Sequence, residues 1–153
     1  MLHGSISVEM PAGSVVVFDL LHDYGKRLEW DTLLSDAYLT DGHTQAALGV
    51  TSVCVGRRWI GKLALKTVYV SFERPRLAAV KMVNSPPFFQ TWAASIHHRD
   101  VDPGSSILTY TWTFSARPRC LAWLIEPVMG TVFQQETQKR LLALQSYLLK
   151  HNR

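Results

Sequence analysis

Two charged residues in the last third of the chain, Glu136 and Arg140, have a spacing that could support chemistry. Four residues apart on a helix, a carboxylate and a guanidinium group lie on one face and can pair. Traced at about 100° per residue, this stretch places both beside apolar residues that should face the rest of the protein. Such a pair could hold a carbonyl, hydroxyl or carboxylate group of a ligand inside an apolar cavity. A rotation of the helix by about 40° would instead make it an ordinary surface pair, and the apolar Leu141 and Leu148 are compatible with that rotation.

Aromatic residues on neighbouring predicted strands form the second candidate. Tyr110 and Trp112 share one face of a strand and offer a phenol O–H and an indole N–H to a ligand. The alternative is that such residues only fill the core, because a sheet beneath a helix needs large apolar side chains in any case. The predicted ligand-binding residues are Tyr69, Trp92, Ile96, Tyr110, Trp112, Met129, Phe133, Glu136 and Arg140. No catalytic residue is assigned.

The histidines and cysteines do not form a predicted metal or cofactor site. His97 and His98 are adjacent on a predicted strand and point to opposite faces, and the turn after them predicts that both are solvated. Cys54 and Cys120 lack CxxC spacing and are expected to be free thiols. The sequence also lacks HxH, HExxH, P-loop, G-x-G-x-x-G and G-x-S-x-G motifs. We therefore predict no metal and no cofactor.

The composition predicts one globular domain that spans residues 1–153. With 47% hydrophobic and 18% charged residues, the chain can bury a core. The net charge is +4, but Lys and Arg are scattered rather than gathered in a stripe, which argues against a nucleic-acid partner. The chain has no signal-peptide pattern and no run of about 18 apolar residues, so we predict a cytoplasmic location without stable membrane insertion. A homodimer is left open.

The apolar pattern predicts a strand, two short helices, about six strands joined by tight turns, and one long helix. The first strand covers Ser5–Met10, and the short helices lie within residues 14–34, with Ser14 as the N-cap of the first. The long helix spans residues 118–152, and Pro127 is predicted to bend it. The strands between are predicted at Ala37–Leu39, Ala46–Val55, Lys62–Phe72, Leu77–Val83, Phe88–Arg99 and Ile107–Ser115. Hairpin-length links indicate an antiparallel meander in an α+β domain.

Residues spread over the whole chain give this order of elements a family resemblance. They form an opening pattern, two hairpin corners and the last helix: Pro11, Val17-Phe18, Leu21, Asp23, Glu29-Trp30, Gly56, Phe72–Pro75, Asp102–Ser105 and Phe133–Leu144. In these residues the sequence resembles the SRPBCC superfamily, which includes START-like, pollen-allergen-like and bacterial polyketide cyclase/dehydrase-like proteins. The resemblance implies a helix-grip fold, in which a curved antiparallel sheet of about six to seven strands wraps around a long C-terminal helix, with two short helices after the first strand.

The resemblance also implies a function, the binding of a hydrophobic or amphipathic small molecule in a cavity between the sheet and the C-terminal helix. The ligand would be lipid-like, aromatic or polyketide-like. One alternative is an enzyme of the polyketide cyclase, aromatase or dehydratase type, in which the cavity shapes the substrate and Tyr110, Glu136 and Arg140 move protons. A second alternative is a protein-interaction or chaperone module that docks a partner through the loop around Trp59.

Overall fold

Seven antiparallel strands form one curved sheet in the part of the chain that the computed structural model describes, residues 2–57 and 64–151. Their bounds are β1 (Leu2–Met10), β2 (Leu34–Leu39), β3 (Thr51–Gly56), β4 (Ala64–Glu73), β5 (Leu77–Met82), β6 (Phe89–Asp102) and β7 (Ser105–Ala116). The order β1-β7-β6-β5-β4-β3-β2 makes β2 to β7 a meander, and β1 joins β7. This confirms the predicted α+β helix-grip architecture. The loop around Trp59 and the predicted strand start at Lys62 lie outside the described residues.

Within the same residues, three α-helices accompany the sheet. α1 (Ser14–Leu21) and the four-residue α2 (Arg27–Trp30) follow β1, as predicted, and α3 (Ala122–His151) is the 30-residue C-terminal helix. A short 3₁₀ turn, Arg119–Leu121, leads into α3. α3 packs against β1 and β7 and touches α2. No helix of the described residues is long and apolar enough to cross a membrane.

β7 shows how the sheet separates the core from solvent. Every second residue from Ser106 to Ala116 is buried, because successive residues of a strand face opposite sides of the sheet. The large buried side chains on the concave face of β7 are Leu108, Tyr110, Trp112 and Phe114. From Thr109 to Ser115, Ser and Thr residues occupy the outer face, where the Thr109 hydroxyl lies 2.9 Å from the Ser7 hydroxyl of β1. The predicted alternation of this strand is therefore confirmed.

A residue far away in the sequence caps the start of α1. Ser14 is predicted as the N-cap, but Gly13 occupies that position and Ser14 is the first helical residue. Asp100 of β6 supplies the acceptor, because its carboxylate accepts from the backbone N–H of Ser14 at 2.7 Å and from the Ser14 hydroxyl at 3.0 Å. A carboxylate there also interacts favourably with the positive end of the helix dipole. The N-cap prediction was wrong because the capping side chain comes from another element.

The predicted strand Ala46–Val55 is shorter in the structure. β3 begins at Thr51 because the segment before it turns. Gly49 has a φ of 82°, a left-handed conformation that favours glycine, and its N–H donates to the carbonyl of Tyr69 at 2.9 Å. At the other end of this hairpin, β2 begins at Leu34, earlier than predicted. β2, which is longer than predicted, is the edge strand of the sheet, and the shorter β3 is its neighbour.

α3 presents a different face to the sheet from the one traced in the sequence. Its buried residues are Gly130, Thr137, Leu141, Leu144 and Leu148. Val132, which the traced stripe placed inside, is 45% exposed. The helix is therefore rotated towards Leu141 and Leu148, as in the alternative interpretation. Pro127 lies within the helix, and the bend expected there stays a prediction.

Two glycines let α3 approach the sheet closely. A Cβ atom at Gly130 would collide with the side chain of Leu2, and a Cβ atom at Gly4 of β1 would lie 2.5 Å from Cζ2 of Trp112. Real Cβ atoms essentially never show contacts under 3.0 Å, so neither position accepts a side chain without movement of its neighbour. α3 is therefore seated closely on the β1–β7 side of the sheet.

Candidate functional site

Three charged side chains join α2 to α3 inside the protein, and we call them the arginine–aspartate cluster. Arg27 donates from Nε to Oδ2 of Asp31 at 2.9 Å. Arg140 donates from Nε to both carboxylate oxygens of Asp31 at 3.1 Å, and from Nη2 to Oδ2 at 2.9 Å. The side chains of Arg27, Arg140 and Asp31 are 10%, 12% and 0% exposed. The cluster is thus almost removed from solvent.

The local chain explains how the Asp31 carboxylate is held. α2 ends at Trp30, and Oδ1 of Asp31 accepts the backbone N–H of Leu33 at 3.1 Å, which fixes the turn into β2. Arg27 lies four residues before Asp31, a spacing at which helical side chains meet. Its Nη1 also donates to the carbonyl of Leu21 at 3.3 Å. Backbone and side-chain hydrogen bonds therefore fix both partners.

Burial and charge act in opposite directions on the titrating groups of this region. Burial raises the pKa of Asp31, but the guanidinium groups of Arg140 and Arg27 lower it by more, so the pKa lies below its ordinary value. Asp31 is therefore ionised at neutral pH. For Tyr110 and Cys54, burial raises the pKa and outweighs the opposing effect of the two arginines, so both side chains are neutral at that pH.

A chain of hydrogen bonds forms a second polar group beneath α1. The Nδ1 atom of His22 lies 2.7 Å from the Tyr69 hydroxyl, which lies 3.1 Å from the Tyr24 hydroxyl. Tyr24 donates to Ser52 Oγ at 3.1 Å, and Ser52 Oγ lies 3.0 Å from Thr67 Oγ1. Because Tyr24 has one hydroxyl proton, Tyr69 must donate to Tyr24, and His22 must donate to Tyr69. Burial holds the pKa of His22 well below its usual range, which fits this neutral, Nδ1-protonated form.

The structure buries most of the residues predicted to line a cavity. Those on the sheet are at most 8% exposed: Tyr69, Trp92, Ile96, Tyr110 and Trp112. Met129 and Phe133 of α3 are half-buried against the same core, and the Phe133 ring lies 5.2 Å from that of Trp112 and 5.9 Å from that of Trp92. Tyr69 belongs to a separate, smaller core cluster. A shared role of these residues in ligand binding stays a prediction.

Glu136 and Arg140 bind other partners than the sequence suggests. Arg140 binds Asp31, and Glu136 accepts from Nζ of Lys139 at 3.3 Å. Pairing between Glu136 and Arg140 was the wrong prediction, because a carboxylate 109 positions away in the sequence holds the guanidinium group of Arg140. Both side chains are nevertheless largely buried, with Glu136 14% and Arg140 12% exposed. Arg140 therefore belongs to the interior network, whereas Glu136 is matched by a surface lysine.

Part of the concave face of the sheet is not fully covered, and we call its apolar side chains the concave patch. The patch consists of Leu65 on β4 and of Val80 and Met82 on β5. All three pack against the core but are only half-buried. Because α3 is seated against β1 and β7, it leaves this part of the sheet less covered. Solvent therefore reaches apolar side chains that point to the inside of the curved sheet.

Buried polar groups beside α3 lack hydrogen-bond partners among the described residues. These are Nε1 of Trp92, Nε1 of Trp112 and Oγ1 of Thr137. Phe133, one turn before Thr137 on α3, contacts both indole rings. A buried donor without a partner costs roughly 1–3 kcal/mol. These groups are therefore free to bond a polar atom of a molecule that enters the interior.

His98 lies in a different environment from the one predicted. His97 is exposed, as expected, but His98 is 4% exposed and its ring lies 5.3 Å from that of Phe18. The solvated position predicted for His98 was wrong. Ile96 points inward from β6, and His98, two residues later on the same strand, points to the same side. Burial lowers the pKa of His98 to about 4. Neither ring nitrogen has a partner within residues 2–57 and 64–151.

Sequence reasoning missed Arg27 and Asp31 as site residues. Their four-residue spacing is the same as that of Glu136 and Arg140 and was the one available signal. α2 is four residues long, too short to show the periodicity that identifies a buried helix face. The two residues therefore looked like part of an ordinary polar helix end.

Elsewhere in the described residues, the structure offers little for other kinds of site. No three His, Cys, Asp or Glu side chains come together to hold a metal ion there. Cys54 and Cys120 are free thiols. A surface depression of about 490 Å³ lies at the start of α1 and is lined in part by Asp100, the residue that caps this helix. These features do not compete with the interior as the candidate site.

Comparison with protein families gives one match that covers nearly the whole chain. The family model described as "Polyketide cyclase / dehydrase and lipid transport" matches residues 1–148. Comparison with curated protein sequences gives no match. The family match spans both the arginine–aspartate cluster and the concave patch.

Solved structures with the same fold include three bacterial proteins. The protein XoxI from Bacillus cereus is 16% identical with a TM-score of 0.79, and the match covers 100% of this chain and 99% of that one. The ZhuI aromatase/cyclase from Streptomyces sp. R1128 is 12% identical with a TM-score of 0.81, over 99% and 96% of the two chains. A START superfamily protein from Mycobacterium smegmatis is 10% identical with a TM-score of 0.75, over 95% and 98%. At these identities the likeness establishes the fold.

Proposed function

We propose a ligand-binding function for this chain, which belongs to the polyketide cyclase / dehydrase and lipid transport family. This membership agrees with the resemblance to the SRPBCC superfamily. The proposed ligand is a hydrophobic or amphipathic small molecule of lipid-like, aromatic or polyketide-like character. Its proposed place is between the concave face of the sheet and α3.

The observation that carries this proposal is the partial exposure of the concave patch. Leu65, Val80 and Met82 face the inside of the sheet, where a core would normally bury them, yet solvent reaches all three. Full burial of an aliphatic side chain of this size is worth about 1.5–3 kcal/mol relative to exposure. An apolar molecule that covers the patch would gain part of this free energy, because it removes apolar surface from water.

The aromatic residues on the other side of the interior support the same proposal. Trp92, Trp112 and Phe133 form a wall of rings with centroids 5.2–5.9 Å from Phe133. The indole N–H groups of both tryptophans are buried and unpartnered among the described residues. Ligand pockets typically combine apolar walls with a few polar groups that fix orientation. An amphipathic ligand would meet both kinds of surface here.

Titration with the neutral dye N-phenyl-1-naphthylamine tests the proposal. We expect a saturable rise in dye fluorescence with a blue shift, because the dye leaves water for an apolar site. Native mass spectrometry of the freshly purified protein should also show a co-purified small molecule in part of the population. A dye response that never saturates, together with a mass that always equals the bare chain, would contradict ligand binding.

A further inference from the structure

We propose that the arginine–aspartate cluster is the binding site for a carboxylate head group on the ligand. This inference rests on the proposed function and adds to it the chemical class of the ligand, an amphipathic organic acid. The apolar part of the acid would occupy the interior between the sheet and α3. Its carboxylate would bind the guanidinium groups of Arg27 and Arg140 beside Asp31.

The first argument is the surplus of positive charge. Arg27 and Arg140 are 10% and 12% exposed, and they share the single fully buried carboxylate of Asp31. Two guanidinium groups against one carboxylate leave the cluster with a net charge of +1 in a nearly dry place. Removal of an unpaired charge from water is costly, so buried charges are normally matched. A monoanionic head group would provide the missing charge.

The second argument is that nearby groups do not neutralise this charge. Tyr110 and Cys54 interact electrostatically with both arginines, but burial raises the pKa of each, so each is neutral at pH 7. Burial likewise raises the pKa of Tyr24, which also interacts with Arg27. Glu136 lies one turn before Arg140, but Lys139 binds it at 3.3 Å. The protein thus supplies no further negative charge to the cluster from these residues.

The third argument is the supply of free hydrogen-bond donors. A guanidinium group has five N–H donors in a flat fork that fits a carboxylate. The hydrogen bonds that the structure describes for Arg140 use Nε and Nη2, and those for Arg27 use Nε and Nη1. Nη1 of Arg140 and Nη2 of Arg27 therefore have donors that no described residue accepts. A carboxylate can accept from both guanidinium groups at once.

The fourth argument is the position of the cluster relative to the apolar interior. Tyr110 of β7 lies within the electrostatic reach of Arg140 and Arg27, and it faces the same side of the sheet as Trp112. Arg140 lies on α3 two turns after Phe133, the residue that contacts the indole rings. A chain or ring system bound along α3 would therefore place a terminal acid group near the cluster.

The test compares cis-parinaric acid, a fluorescent fatty acid, with its uncharged methyl ester. On the wild-type chain at pH 7, we expect the acid to bind about tenfold more tightly than the ester, because only the acid can accept charge-assisted hydrogen bonds. Arg140→Gln should weaken binding of the acid by about tenfold and leave the ester nearly unchanged. Arg140→Lys, which keeps the charge but loses the fork, should fall between the two. Arg74→Gln is the matched control, because Arg74 is an exposed arginine paired with Asp19.

The possible results separate this inference from the proposed function. Equal binding of acid and ester to the wild-type chain would overturn the carboxylate site and leave the ligand-binding function intact. Failure of both probes to bind would contradict the ligand-binding function itself. If circular dichroism shows that Arg140→Gln does not fold, Arg27→Gln takes its place. In that case the comparison of acid and ester on the wild-type chain still decides whether the carboxylate site exists. Loss of acid binding in Arg74→Gln as well would also overturn the site, since it would show an effect of net charge alone.

Discussion

Asp31 and Arg140 lie 109 positions apart in the sequence and share three hydrogen bonds of 2.9–3.1 Å in the interior. This contact ties the end of α2 to the middle of α3. It also brings the second arginine to a carboxylate that Arg27 already binds at 2.9 Å. The contact is therefore both a structural link between two helices and the source of a buried surplus charge.

Replacement of Asp31 by Asn should destabilise the protein by about 3–5 kcal/mol, because it leaves two buried guanidinium groups facing each other without a carboxylate. Urea unfolding followed by tryptophan fluorescence measures the free energy of unfolding. Asp19→Asn is the control, because Asp19 pairs with Arg74 at the surface and is 49% exposed. The control should change stability by less than about 1 kcal/mol. Equal losses of unfolding free energy in both variants would show that the buried cluster contributes no more to stability than a surface ion pair.

Stability should fall as the pH is lowered from about 6.5 towards 4, and His98 should account for part of the loss. The pKa of His98 is about 4 in the folded protein, whereas an unfolded histidine has a pKa of about 6.5. Between these pH values His98 is protonated in the unfolded chain but stays neutral in the folded protein. Its contribution to stability is therefore fully present above pH 6.5 and is lost as the pH falls. His22, whose pKa is also lowered, acts in the same direction.

His98→Phe tests this pH dependence. Phenylalanine keeps the ring contact with Phe18 and removes the titrating nitrogens, neither of which has a hydrogen-bond partner among the described residues. We expect the variant to lose up to about 3 kcal/mol less stability than the wild type between pH 6.5 and 4. His43→Gln, at an exposed histidine, should follow the wild-type curve. Thermal or urea unfolding at several pH values measures the difference, and identical curves for His98→Phe and wild type would rule out the assignment.

A bulky residue at Val80 should block ligand binding. Val80 is a half-buried member of the concave patch, so a tryptophan there would fill space that the proposed ligand needs. We expect Val80→Trp to weaken N-phenyl-1-naphthylamine binding by about tenfold or more. Val70→Trp is the matched control, because Val70 is 47% exposed. If both variants bind the dye as the wild type does, the concave patch is not part of the ligand site.

Addition of one methyl group at Gly4 should destabilise the fold by about 1–3 kcal/mol through overpacking. The new Cβ atom would lie 2.5 Å from the Trp112 ring, so the ring and the neighbouring part of α3 would have to move. Gly4→Ala should therefore lower the midpoint of urea unfolding and change the tryptophan emission spectrum. Gly104→Ala serves as the control, because a Cβ atom there would lie 3.8 Å from Asp102. An unchanged midpoint for Gly4→Ala would mean that the interior has room for a methyl group at this position.

The sheet was predictable because its signal is local. From Leu108 to Phe114 of β7, apolar and polar residues alternate without interruption, so the inward positions of Tyr110 and Trp112 could be predicted from the sequence alone. The face of α3 was less predictable because apolar residues surround the helix. Val128, Leu142 and Leu149 are apolar yet 44–63% exposed, and they blur the stripe that marks the buried side.

The charged part of the candidate site was not predictable, because its contacts join distant parts of the chain. The spacing of Glu136 and Arg140 left open whether the arginine is buried, and it suggested the wrong partner. Local rules consider neighbours three and four residues away, whereas Asp31 reaches Arg140 only after the sheet has brought α2 beside α3. His98 was misplaced for a related reason, since a nearby turn does not reveal that α1 covers the end of β6.

The pairing of β1 with β7 has a consequence for the order in which the protein can assemble during its synthesis. The register runs from Leu2 opposite Phe114 to Met10 opposite Ser106, and the cap of α1 comes from Asp100. The first strand and the first helix therefore obtain these partners only after most of the chain has left the ribosome. Until then the residues of β1 lack the strand with which they pair, and contacts between such distant residues form slowly. This side of the sheet can therefore close only after β7 has been synthesised.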